Sequence, residues 1–161
     1  MPLSNDSFAS SSDLASMMNY HDGNGWFEPI PGEALRVRVD SKAVGGRLTI
    51  IEGIAQPGFS TSLHHHPEDE IFHVLEGHVT FQIGAERMTG RPGTIIFVPA
   101  GTHHAWGNFS GAPIHMTATF TPGGVEAFFE QAPGLSVDER AELARRFGMV
   151  IVGPPIDGDR V

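Results

Sequence analysis

The chain has 161 residues, with 20 glycines, 12 prolines, no cysteine and a formal net charge of −9. The length suits one domain with a single core, and abundant glycine and proline suit short strands joined by tight turns. The acidic balance argues against a nucleic-acid partner, and the lack of cysteine excludes disulfides, thiolate metal ligands and a cysteine nucleophile.

No basic segment followed by an apolar stretch opens the sequence, and no apolar run approaches a membrane span, so a soluble cytoplasmic protein is expected. Residues 1–13, with Ser7, Ser10, Ser11, Ser12 and two aspartates, read as a mobile arm. Residues 13–20 read as a short helix or an extended lead-in. One domain is expected over 14–153, with a β core over 33–121.

Within that core, short β-branched or aromatic runs bounded by Gly, Pro or Asp predict strands at 35–39, 47–55, 61–65, 70–75, 79–83, 94–98, 103–106 and 114–120. Pro122-Gly123-Gly124 then ends the pattern. Helices are expected over 124–147. The first runs over 125–131, with Val125, Phe128 and Phe129 on one side, either capping the mouth of the barrel or covering one sheet. The second opens at Ser136, where Ser136 and Glu139 have capping-box spacing, and runs to about Phe147. Residues 149–152 form a short strand or lead-in, and 154–161 read as a loose tail.

Ten residues at fixed spacing carry the chemical signal. The first half is Gly58, His64, His66, Glu70 and Gly77; the second is Gly93, Pro99, Gly101, His104 and Asn108. His64 and His66 are two apart, so on a strand both imidazoles share a face. Glu70 follows a turn through Pro67, Glu68 and Asp69, which is expected to bring the next strand back beside the first. Three imidazoles and a carboxylate form a ligand set for a divalent transition metal: Fe, Mn, Ni, Co, Cu or Zn. His65 and His103 should point to the opposite face. His21, His73, His78 and His115 read as ordinary, partly buried histidines.

Strand parity extends the site. If Glu70 faces inward, so do Phe72 and Val74; if His104 does, so does Trp106. Phe59, Phe81, Phe97, Met88, Met116 and Phe120 are further wall candidates. A metal surrounded by such side chains suits a planar, largely apolar small-molecule substrate.

Both segments match, at every fixed position, the two sequence motifs of the cupin superfamily. The spacer of fifteen residues between Gly77 and Gly93 resembles that of small microbial members. The tail, from Phe120-Thr121-Pro122-Gly123-Gly124 through the helices to Gly153-Pro154-Pro155, is similar to small quercetinase-like single-domain cupins. The resemblance implies a mainly β fold, a jelly-roll type of barrel called a double-stranded β-helix. It also implies metal ligation by His64, His66, Glu70 and His104, with Glu70 doubling as the catalytic proton acceptor. A homodimer is implied as well, since small cupins often pair through a sheet edge or an exchanged N-terminal strand, a role open to residues 21–39. Three functions remain open: a dioxygenase using O2, a non-oxidative isomerase, cyclase or decarboxylase, or a ligand-binding module without turnover.

Overall fold

The computed structural model describes residues 25–158. The expected arm over 1–13 and the helix or lead-in over 13–20 fall outside them. Eleven strands are described: β1 Phe27–Ile30, β2 Glu33–Val39, β3 Thr49–Ala55, β4 Ser62–His65, β5 Asp69–Glu76, β6 Val79–Ile83, β7 Glu86–Gly90, β8 Ile95–Val98, β9 His104–Gly107, β10 Ile114–Thr121 and β11 Val150–Pro155. A 3-10 turn spans Ser41–Val44, and two helices, α1 Glu126–Gln131 and α2 Val137–Arg146, precede β11.

The strands form two sheets, one in the order β1-β2-β3-β10-β5-β8 and the other β11-β4-β9-β6-β7. Every pairing is antiparallel. The architecture is a double-stranded β-helix, as the motifs imply. Its main core lies between the sheets, where Phe72, Val74, Val79, Phe81, Val98, Trp106, Ile114 and Met116 pack together. Each such side chain contributes roughly 1.5–3 kcal/mol by leaving water. A second cluster of Leu35, Ile51, Phe120 and Val125 joins β2, β3 and β10 to the start of α1, and a third of Phe128, Leu143 and Ala144 joins the helices.

Two strands have no counterpart among the expected elements. Segment 86–90, Glu-Arg-Met-Thr-Gly, lacks apolar alternation, yet it pairs with β6 from Val79↔Gly90 to Ile83↔Glu86. Pairing across a two-residue hairpin, not burial, makes it a strand. β1 is a short edge strand carrying Pro29, which an edge tolerates. The tail also differs from expectation at its start. β11 continues through Pro154 and Pro155 along β4, and Ile156 is buried, so 154–156 are fixed in place.

Local chemistry explains much of the rest. At Ser136 the hydroxyl accepts from the Glu139 N–H, while the Glu139 carboxylate accepts from the Ser136 N–H, as capping-box spacing predicts. Gly77 turns β5 into β6 at φ +80, and a Cβ there would sit 2.9 Å from Ile114 Cγ2. Only glycine meets both demands. No helix among the described residues is long and apolar enough to cross a membrane.

Candidate metal centre

His64 lies on β4 directly opposite His104 on β9, and His66 follows one residue past the end of β4. Ring centroids are 4.5 Å apart for His64 and His104, 4.9 Å for His66 and His104, and 5.6 Å for His64 and His66. Each ring can offer a nitrogen within 4.8 Å of the other two. Gly101 helps set this arrangement. Its N–H donates to the His66 carbonyl at 2.8 Å, tying the turn before β9 to the end of β4, and its φ of +75 suits glycine.

Glu70 reaches the cluster by a different route from the one expected. β4 and β5 do not pair; they belong to opposite sheets. The histidines therefore come from the five-stranded sheet and Glu70 from the six-stranded one, so the cluster bridges the barrel. Glu70 Oε2 lies 3.0 Å from His66 Nε2 and 2.9 Å from His104 Nε2.

The Nδ1 atoms decide which face of each ring is free. Nδ1 of His64 donates to the Ser62 carbonyl at 2.7 Å, that of His104 to the Thr102 carbonyl at 2.8 Å, and that of His66 to the Glu68 carbonyl at 3.1 Å. A carbonyl only accepts, so each Nδ1 carries a proton; a ring that is neutral then keeps its lone pair on Nε2, and a protonated one donates from Nε2. Fixing the outer nitrogen in this way is how proteins orient metal-binding imidazoles.

The electrostatics also fit a cation. Burial pushes His64 down to about 4, reinforced by the neighbouring His104, so its ring is the neutral, ligating form at neutral pH. Burial also opposes charge on His66, but Glu68 and Glu70 outweigh it and lift that group to about 9. Burial alone would raise the Glu70 carboxyl, yet His104 and His66 hold it below its ordinary range. Positive charge is thus favoured at His66 beside the ionised Glu70 carboxylate, an environment that would also suit a divalent cation. The donor set, three imidazoles and one carboxylate, suits a first-row transition metal.

His64, His66 and Glu70 line a cavity of about 280 Å³. Its walls include Phe59, Phe72, Trp106, Phe120, Phe128 and Phe129, and Arg140 is the cation among its described lining residues. Phe128 and Phe129 of α1, with Val137, Ala141 and Ala144 of α2, cover one side of it, so the helices close the site as well as packing on a sheet. Met116 borders a smaller neighbouring cavity of about 50 Å³.

Other wall candidates stand elsewhere. Val74 and Phe81 are fully buried in the core and line neither cavity. Phe97 is 58% exposed, because the Glu70↔Val98 register turns Val98 inward and its neighbour outward. Met88 is 41% exposed on β7. His65 and His103 stack on the outer face, centroids 5.0 Å apart and planes 10° from parallel. His115 bonds Glu52 at 2.6 Å.

Motif residue Asn108 is a buried tie. Its Nδ2 donates to the carbonyls of Ala55 and Ala112, and its Oδ1 accepts from the N–H and hydroxyl of Ser110. Several cavity residues escaped the sequence reasoning, Glu33 among them. Glu33 lines both cavities, and its signal was strand parity with Leu35 had β2 been started two residues earlier.

Comparison with known proteins agrees with this fold. The chain is 28% identical over 79 residues to an uncharacterized protein of Methanocaldococcus jannaschii, covering 48% of this chain and 63% of that relative, less than two thirds of its length. The fold is similar to that of KdgF from a Halomonas species (TM-score 0.59, 18% identity, 65% of this chain and 91% of the other). It is also similar to that of the polyketide cyclase RemF from Streptomyces resistomycificus (TM-score 0.52, 21% identity, 63% and 70%). Residues 52–120 match the model of the cupin domain family, a stretch that holds all ten motif residues.

Proposed function

We propose that the protein is a metal-dependent enzyme acting on a small aromatic or enol/diketone molecule, and that its reaction is a quercetinase-like dioxygenation. One observation carries the reading: three histidines oriented by backbone carbonyls meet Glu70 beside an apolar, aromatic-lined cavity that His64, His66 and Glu70 line. His64, His66, Glu70 and His104 would hold the metal. When bound, a divalent transition metal supplies Lewis acidity and a coordination position for an enol or ketone oxygen.

The chain supplies the rest. Glu70, held ionised by His66 and His104, accepts the proton of the substrate hydroxyl at a carboxylate oxygen. Phe59, Phe72 and Trp106 take up the planar body and keep water away from the reacting atoms. The covering helices fit the same purpose.

An oxygen electrode tests this. Protein reconstituted in turn with Fe, Mn, Ni, Co, Cu and Zn is screened against flavonols and 1,3-diketones. Oxygen uptake matching substrate loss supports the reading. Substrate conversion without oxygen uptake would assign the cluster to a non-oxidative reaction, such as isomerisation or cyclisation.

A further inference from the structure

Glu33 differs from the other buried carboxyls of the protein. Glu52 is held by Arg36, Arg38 and His115; Glu126 by Ser41, Thr49 and Gly124; Glu70 by His66 and His104. Glu33 is 7% exposed and, among the described residues, meets neither a hydrogen-bond donor nor a cation. Its open side is the cavity, since it borders both the larger void and the smaller one. A buried acid without a partner costs stability, whereas Leu35, two residues on and on the same face, packs into the core.

We infer that Glu33 is a ligand-binding residue whose carboxyl donates a hydrogen bond to an uncharged oxygen acceptor, a ketone or ether oxygen, on a molecule whose apolar body lies among Phe59, Phe72 and Trp106. This deepens the function above. It rests on the cavity being the substrate site. Burial, with the charge of Glu70 added, pushes the Glu33 carboxyl up to about 8, so at neutral pH it keeps its proton and is a donor. The site therefore selects an uncharged oxygen at this end and disfavours a carboxylate there, which would leave two acids competing for one proton.

The probes are 2-acetylnaphthalene and naphthalene, which share an apolar body and differ by one ketone. Binding is read from Trp106 fluorescence at pH 7, on the protein as purified and after chelator treatment. The wild-type protein should prefer the ketone about tenfold, equivalent to about 1.4 kcal/mol. Glu33→Gln, which keeps a donor, should retain that preference. Glu33→Ala, which removes the donor without filling the space, should reduce it to within about twofold. Glu33→Leu should melt at or above the wild-type temperature.

An unchanged preference in Glu33→Ala overturns the inference. So does the absence of a preference, or of binding by either probe, in the wild-type protein. A lower melting temperature for Glu33→Leu would make the acid a packing element and would also overturn it. The same ketone preference before and after chelation keeps this result separate from the metal reading, which can fail alone.

Discussion

His64 and His104 are paired Cα to Cα across β4 and β9, forty positions apart in the chain, and their rings stand 4.5 Å apart on the inner face. That register is the foundation of the proposed metal site. A one-residue slip would turn both imidazoles outward, onto the face where His65 and His103 stack. The backbone carbonyls of Ser62 and Thr102, each two residues before its histidine, then set both rings the same way.

Metal content follows from this arrangement. Elemental analysis of purified or reconstituted protein should find about one transition-metal ion per chain. The double variant His66→Ala/His104→Ala should lose most of it. Glu70→Gln should keep most of the metal while losing activity by about 100-fold or more, because the amide cannot accept the proton. Parallel loss of metal and activity in Glu70→Gln would remove the case for a separate proton-transfer role.

Acid stability should depend on Glu52. Burial alone would raise this carboxyl, but Arg36, Arg38 and His115 outweigh it and hold it at about 2 against an ordinary value of 4.5. The folded state therefore binds its proton less readily than the unfolded chain. The resulting stability is present above pH 4.5 and is lost as pH falls toward 2, on the order of 2–3 kcal/mol. Urea titrations should show Glu52→Gln less stable than wild type at pH 7, with the difference shrinking steadily below pH 4.5.

Glu126 should be a structural keystone outside the site. Its carboxylate accepts from the Ser41 N–H at 2.9 Å and the Gly124 N–H at 3.0 Å, and from the hydroxyls of Ser41 and Thr49. It thereby ties α1 to β3 and to the 3-10 turn. Glu126→Ala strands several buried donors and should cost about 2–4 kcal/mol in chemical denaturation. Metal content should remain unchanged, since none of the candidate ligands bonds to it.

The outer edge of the six-stranded sheet should pair with a second copy. Among the described residues β8 ends that sheet, and it exposes Ile95 at 65% and Phe97 at 58%. An unpaired strand edge bearing large apolar groups favours edge-to-edge association. Light scattering on the eluting protein should give the mass of a homodimer, and Phe97→Asp should shift it toward the monomer.

Much of the barrel was legible because β structure repeats every two residues. From Glu70, parity put Phe72 and Val74 inside, and from His104 it put Trp106 inside; all three are buried. Parity did not say which inward residues meet a void. Phe72 and Trp106 line the cavity, whereas Val74 and Phe81 are enclosed by core. It also failed at β8, where only the pairing with β5 fixes Phe97 on the outside. β7 was invisible because hairpin pairing, rather than an apolar pattern, creates it.

The sequence by itself determined the shared face of His64 and His66, the strand-rich core and the capping box, because each depends on residues close in the chain: two-residue alternation, a fixed turn, a three-residue reach. Only the tertiary structure decided that Glu70 arrives from the sheet opposite the histidines, that α1 and α2 wall the cavity, and that Glu33 faces it without a partner. Those facts depend on which strands pair and which layers meet. Long-range packing fixes them, and no local spacing encodes it.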